Sequence, residues 1–342
     1  MDEHRGGKMK EDIMEIGSAV VVGLGSMGKR RIRLIRQLYP EMKICGVDGQ
    51  ESRRRESEEL FHIPTYGEPA EAIRREKPEA GFVCTSPLSH RTVIRELLEN
   101  GLHVFTEINL IRDGYEENMK LAEEKGKTLF LSSTFLYRKD IRYMIERAKK
   151  EKVNYIIHIG QYLPDWHPWE SYRNFFVGDK RTNGCREILA IDLPWVLAAF
   201  GKVTDLHVRA SKDSDLELDY NDNYILSMAH ENGSKGVLIC DLLSRKAVRS
   251  ALIYSDRMQI SWMGVPDSLT EYDIENRTDV PVQTYAEALD HQAGYAANII
   301  ENAYMEEIRT FIGVIQGTEE ARYGFREDLE TLALIDRIEG IG

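Results

Sequence analysis

The sequence predicts two domains of different class: an N-terminal α/β domain with a parallel sheet, then a C-terminal α/β domain built on an open, mostly antiparallel sheet. Three observations carry this expectation. As far as about residue 133, short apolar runs alternate with segments of helical periodicity, a pattern that gives a parallel sheet with helices on both faces. Beyond about residue 150, strand-like runs follow one another with turn signals between them, the mark of an antiparallel sheet. A chain of 342 residues is also too long for one ordinary core and fits two.

The elements follow in order. Residues 17–23 (GSAVVVG) read as a short buried strand, and GLGSMG comes at once. Ile32, Ile35, Leu38 and Tyr39 then recur at helical spacing over residues 29–39. Strands are expected at residues 43–48, 80–86, 103–107 and 128–133, with helices at 51–61, 69–76, 89–99 and 115–125. Asn100-Gly101 closes the third of these helices. In the second half, residues 154–163, 204–211, 223–231, 236–244 and 250–255 read as strands, with turns at Asn232-Gly233 and Ser255-Asp256. One helix interrupts them at 186–200, and two more close the chain near 299–316 and 327–339. The expected organisation is a charged extension at 1–16, a first domain at 17–136 and a second at 137–342, whose last helices can pack back on the first.

Composition narrows the function. Charged residues make up 30% and hydrophobic ones 42%, ordinary for a globular protein. A formal net charge of −12 disfavours a nucleic-acid partner, because phosphates need a basic face. The four cysteines form no CxxC pair; Cys45 and Cys84 lie in apolar runs and read as buried free thiols. No metal site is expected. No apolar run approaches the ~18 residues needed to span a bilayer, and the charged first residues do not resemble a signal peptide, so a cytoplasmic location is expected.

The glycine loop is the sharpest chemical signal. Gly23-x-Gly25-x-x-Gly28 sits between a strand and a helix, and Asp48 closes the next strand about 20 residues past the last glycine, the context a dinucleotide fingerprint requires. In such a Rossmann domain Gly23 makes the tight turn, Gly25 lets the pyrophosphate approach, and Gly28 lets helix and strand pack closely. Ser26 and Met27 open the helix, whose free N–H groups and partial positive charge attract phosphates. Asp48 would accept hydrogen bonds from the adenosine ribose, favouring NAD over NADP, although Arg53, Arg54 and Arg55 lie within reach of a 2′-phosphate.

Four motifs in order, VVVGLGSMG, GVDGQ, VCTSPLSH and ENGLHVFTEINL, together with the closing stretch YMEEIRTFIGVIQGTEEARYGFREDLETLALIDRIE, resemble the glucose–fructose oxidoreductase / inositol 2-dehydrogenase (Gfo/Idh/MocA) family. The resemblance covers the first 135 residues and the tail well, and the middle loosely. It implies a Rossmann domain followed by an α/β domain whose open sheet walls the active site and often forms an oligomer interface. It also implies a sugar, cyclitol or sugar-nucleotide substrate. By position, Thr85, Ser86 and His90 would flank the cofactor, and Glu107, the glutamate of the family's E-K-P, would lie near the nicotinamide ribose. Ile108 stands where the family has its catalytic lysine, and Asn109 replaces the proline. Isoleucine can neither hydrogen-bond nor transfer a proton. The family's G-G-x-x-x-D-x-G-x-H-x-x-D corresponds to residues 183–195, where Glu187 falls near the first aspartate and Ile191 or Asp192 near the histidine. Glu187 and Asp192 are separated by about 140° around a helix, so they do not share a face.

The segment LPDWHPWESYRNFFVGDKR (163–181) concentrates aromatic and basic side chains in one expected loop. Trp166 and Trp169 suit stacking on a sugar ring, and Arg173, with Arg138 and Arg186, suits an anionic group on it. His167 or Lys180 is expected to take the proton role of the absent lysine, with Glu187 and Asn109 completing the catalytic set and Asp192 contacting substrate. The expected function is an NAD-dependent oxidoreductase on the CH–OH group of a sugar-type substrate, acting as a homo-oligomer. Two alternatives stand beside it: an enzyme that oxidises transiently on held NAD during elimination, epimerisation or glycoside cleavage, and an NAD(H)-binding sensor that has lost turnover.

Overall fold

The computed structural model describes residues 16–166, 170–292 and 299–341. The first half winds β1 (Ser18–Val22), α1 (Ser26–Leu38), β2 (Lys43–Val47), α2 (Glu51–Phe61), β3 (Thr65–Tyr66), α3 (Pro69–Glu76), β4 (Ala80–Val83), α4 (His90–Glu99), β5 (His103–Thr106), α5 (Tyr115–Lys125) and β6 (Leu129–Leu131). Its six strands are ordered β3-β2-β1-β4-β5-β6 and every pair is parallel. The strand order therefore reverses between β1 and β4, and the crevice at their carboxyl ends is where ligands of such sheets bind. The strands are apolar on both faces because helices cover both: β4 and β5 are buried at every residue.

A 3-10 turn at Thr134–Tyr137 leads into α6 (Lys139–Ala148), a helix the sequence reading did not anticipate, and then into the second sheet. Its elements are β7 (Asn154–Gly160), α7 (Gly184–Phe200), β8 (Val203–Ser211), β9 (Asn223–His230), β10 (Lys235–Asp241), β11 (Val248–Tyr254), β12 (Gln259–Trp262), β13 (Thr270–Asp273) and β14 (Thr278–Pro281). The order is β14-β13-β12-β11-β7-β10-β9-β8, and β7–β10 is its parallel pair. The last three strands extend the sheet beyond the five expected; each is four residues long. One face carries α6 and α7: Phe200 of α7 stacks on Tyr155 of β7 with ring centroids 4.4 Å apart. Among the described residues no helix covers the other face, where Ile156 and Ile225 are exposed.

The chain closes with α8 (Glu301–Gln316) and α9 (Phe325–Glu339). Phe311 of α8 packs edge-on against Phe82, Phe105 and Phe130 of the parallel sheet, so the C-terminal end of the chain completes the N-terminal core. Among the described residues no helix is long and apolar enough to cross a membrane. The four cysteines are free thiols, three buried and Cys84 half-buried.

Candidate active site

The glycine loop has the geometry its sequence calls for. Gly23 has φ +95°, a conformation L side chains avoid, and a Cβ there would lie 2.6 Å from the Cys84 carbonyl oxygen. A Cβ on Gly28 would lie 1.9 Å from the Gly23 carbonyl oxygen, so α1 can pack this closely only with glycine. A Cβ on Gly25, by contrast, would meet nothing within 4 Å; that open side is the approach a pyrophosphate needs. Ser26 is exposed, Met27 half-buried, and no acidic residue occupies the first turn of α1 to compete with a phosphate. Asp48 is pinned by two backbone donors, Leu24 N–H at 2.9 Å and Gln50 N–H at 2.8 Å, which set its carboxylate at the end of β2. These features fit a dinucleotide. Arg53 stands 3.7 Å from the Asp48 carboxylate, Arg54 donates to the Asp48 and Gly49 carbonyls, and Arg55 pairs with Glu51.

At the ends of β4 and β5, Thr85 is half-buried and Ser86 exposed, and the Ser89 hydroxyl donates to Thr85 Oγ1 at 2.9 Å. Buried His90 pairs through Nε2 with the Thr85 carbonyl at 3.0 Å and through Nδ1 with Asn109. Burial lowers the His90 pKa, and the ring ties the two loops together. Asn109 is buried, which makes it a brace for His90 in this arrangement. Ile108 is half-buried and packs on the core.

Glu107 has a partner that sequence reasoning missed. Arg31 of α1, fully buried, donates to both its oxygens at 2.6 and 3.1 Å and to Glu307 of α8 at 2.8 Å. Glu307 also accepts from the Ser132 hydroxyl, the Ser133 N–H and the Thr134 hydroxyl. The network joins the glycine-loop helix, the E-I-N segment and the C-terminal helix. Its one sequence signal was the run of arginines in KRRIRLIR, which reads more simply as a solvated face.

In the second domain, several expected substrate contacts prove to be engaged elsewhere. Arg138 is buried, bound to Asp140 at 3.0 and 2.5 Å and to the Gly264 carbonyl, and lies over the Trp262 ring. Arg186 ties α7 to α9 through Asp336 and Glu339 and donates to the Leu110 carbonyl. Arg173 is exposed and pairs with Glu217 at 2.8 Å. Each pairs with one or more acids of this acidic chain. Asp192 is buried, accepting from Trp195 Nε1 at 2.9 Å and Arg249 Nη2 at 3.0 Å. Lys180 is exposed, Trp166 is half-buried with its indole N–H on the Gln161 carbonyl, and His167 and Trp169 lie outside the described residues.

Glu187 is different. It sits in the first turn of α7, behind the Asn183 cap, half-buried, with Oε2 sealed and without a partner. Burial pushes its carboxyl up to about 7, against the pull of Arg249. It is therefore a group that exchanges a proton near neutral pH. Among the described residues no cluster of His, Cys, Asp and Glu could hold a metal.

A parallel sheet ordered 3-2-1-4-5-6 with this loop defines the class, a dinucleotide-binding Rossmann fold. The sequence profile of the Gfo/Idh/MocA oxidoreductase family, NAD-binding Rossmann fold, matches residues 18–133. Over 189 residues, 54% of this chain, the sequence is 29% identical to human biliverdin reductase A, and over 114 residues 30% identical to the mouse enzyme. These matches span 58% and 37% of the two relatives' own lengths. Solved structures share the fold across both domains. UDP-N-acetylglucosamine 3-dehydrogenase GnnA of Acidithiobacillus ferrooxidans superposes with TM-score 0.73 at 14% identity, covering 96% of this chain and 98% of its own. WlbA dehydrogenase of Bordetella pertussis, solved with NADH and UDP-GlcNAcA, gives 0.70 at 15%, covering 95% and 94%. Biliverdin reductase of Synechocystis, solved with biliverdin and NADP+, gives 0.71 at 15%, covering 95% and 98%.

Proposed function

We propose that this chain is an NAD(H)-dependent oxidoreductase that moves a hydride between the nicotinamide and a hydroxyl-bearing carbon of a sugar, sugar acid or sugar nucleotide. The observation that carries this reading is Glu187, a carboxyl poised near neutrality and unpartnered at the stretch where the family resemblance places its acid–base residues. Nicotinamide, when bound, supplies the hydride acceptor. The loop from Gly23 to Gly28 and the first turn of α1 hold the pyrophosphate, Asp48 holds the adenosine ribose, and Glu107 orients the nicotinamide ribose. Glu187 takes the proton that leaves the substrate hydroxyl. The GnnA and WlbA structures support the substrate class by fold and by the sugar nucleotides in their names.

The open sheet face supports a homo-oligomer. Leu252, Ile156, Val237, Ile239 and Ile225 run across four adjacent strands, with Ile156 47% and Ile225 44% exposed. An apolar stripe of this kind suits burial against a second copy.

A panel of NAD+ with L-tartrate, glucuronate, UDP-N-acetylglucosamine and its uronate tests the proposal by NADH absorbance. A base must be ionised to act, so oxidation should rise through about pH 7, and Glu187→Gln should abolish that limb. Product without net NADH would move the reading to transient oxidation, and NADH binding without any turnover would move it to a sensor.

A second reading is favoured by Ile108 together with the biliverdin reductase A match. Reduction of a conjugated bilin needs no residue to deprotonate a hydroxyl, so loss of the lysine is no handicap there. Bleaching of biliverdin by NADH or NADPH, with every sugar inert, would replace the first reading by this one.

A further inference from the structure

Three consecutive arginines, Arg53, Arg54 and Arg55, lie in the first turns of α2, next to the Asp48 carboxylate, and the structure separates them. Arg54 is engaged by the backbone: it donates to the Asp48 carbonyl at 2.7 Å and the Gly49 carbonyl at 3.2 Å, which fixes the turn between β2 and α2. Arg55 pairs with Glu51 one turn back along the helix. Arg53 is held in neither way. Its Nη1 stands 3.7 Å from Asp48 Oδ2, near enough for Coulombic attraction and too far for a hydrogen bond. Among the described residues its side chain makes no hydrogen bond, and it is 43% exposed, so a ligand group can reach the guanidinium.

Asp48 is the group that opposes a phosphate on the adenosine 2′ position, and its charge is already answered. Oδ2 accepts from Leu24 N–H, Oδ1 accepts from Gln50 N–H, and Arg53 places a full positive charge beside Oδ2. Each carboxylate oxygen can accept two hydrogen bonds, so both keep a lone pair for ribose hydroxyls. The nearby acids of α2 are taken as well, Glu51 by Arg55 and Glu56 by Lys29 of α1. There is also room. A Cβ on Gly49 would meet nothing within 4 Å, so the turn that carries Asp48 borders open space. Ser52, exposed in the first turn of α2, adds a hydroxyl at the same end of the helix. A guanidinium presents a planar fork of donors that matches a phosphate, and a charge-assisted bond of this kind offsets repulsion from a single carboxylate.

We propose that Arg53 sets cofactor choice in this protein and admits NADP(H) as well as NAD(H): its guanidinium pairs with the adenosine 2′-phosphate, while Asp48 serves the ribose hydroxyls of NAD(H). This rests on the dinucleotide reading of the glycine loop. Arg54 is a positioning residue that holds the turn, and Arg55 takes no part.

Fluorescence titration of wild type, Arg53→Ala, Arg53→Lys and Arg55→Ala with NADH and NADPH tests the proposal, and calorimetry with adenosine 2′,5′-bisphosphate and adenosine 5′-monophosphate isolates the adenosine end. Wild type should bind NADPH within about tenfold of NADH, and the bisphosphate more tightly than the monophosphate. Arg53→Ala should lower the ratio of NADPH to NADH affinity by about 10–100-fold. Arg53→Lys should lower it less, because an ammonium keeps the charge without the fork. Arg55→Ala should move it by less than about twofold. Added salt should weaken NADPH more than NADH, since a partly exposed ion pair is screened. Because the ratio is taken within one protein, it is independent of the folded fraction. Wild type that binds NADH but neither NADPH nor the bisphosphate overturns the proposal and leaves the glycine-loop reading intact. An Arg53→Ala ratio within about twofold of wild type removes Arg53 as the determinant. Wild type that binds neither dinucleotide overturns both.

Discussion

Replacing Arg31 by Met keeps an apolar stem in the core and removes the charge that two buried carboxylates share. In the native protein Arg31 donates to Glu107 twice, to Glu307, to the Tyr304 carbonyl at 3.3 Å and to Ser132 Oγ at 3.4 Å, and it lies over the Phe105 ring. Without it Glu307 still accepts three hydrogen bonds, but Glu107 retains only the Cys84 thiol at 3.9 Å. Removing one partner from a buried pair destabilises by about 3–5 kcal/mol, because the remaining charge is uncompensated. The sign of the pH dependence follows. Burial already raises the Glu307 pKa, and loss of Arg31, whose charge pulls it down, raises it further above its unfolded value. Stability from such groups is present at low pH and lost as pH rises through the folded pKa, so the deficit of Arg31→Met should be full at pH 8 and smaller at pH 5. Urea denaturation followed by far-UV circular dichroism measures both, and Arg31→Met/Glu307→Gln should recover part of the loss. A variant within about 1 kcal/mol of wild type at pH 8, or a deficit that grows on acidification, would refute the argument.

Gly28→Ala should lose NADH affinity at least about tenfold and melt lower, since its Cβ collides with the Gly23 carbonyl; unchanged fluorescence titrations would count against the loop geometry. Asp48→Ala should weaken NADH by about tenfold or more while sparing NADPH, because Arg53 stays beside the ribose site; the ratio of the two affinities is the readout. Ile156→Glu should convert the oligomer to monomers by light scattering while NADH binding persists, and an unaltered mass would remove the open face as the interface.

The first domain was legible because each of its signals is local. A β-run such as AVVV, a glycine forced to positive φ, and an acid at the end of the next strand all act within a few residues of one another. The two chain-closing helices and α7 were legible by periodicity. The helix at 139–148 escaped notice because its apolar face is short, and β12, β13 and β14 because each has only four residues. The acid partners of the expected substrate cations were not legible, for a physical reason. An arginine's sequence context says that it carries charge, not whether an acid from another element neutralises it: Asp336 and Glu339 reach Arg186 from 150 or so residues away.

Glycine spacing, hydrophobic period and the acid at the end of β2 were enough to specify the dinucleotide domain. Which side chains remain available for chemistry was decided by the tertiary structure. Packing joined Arg31 to Glu107 and Glu307, closed Arg138 and Arg186 into ion pairs, and left Glu187 Oε2 buried without a partner. Local pattern sets the backbone, whereas the charge state and partners of a side chain depend on what distant segments bring to it.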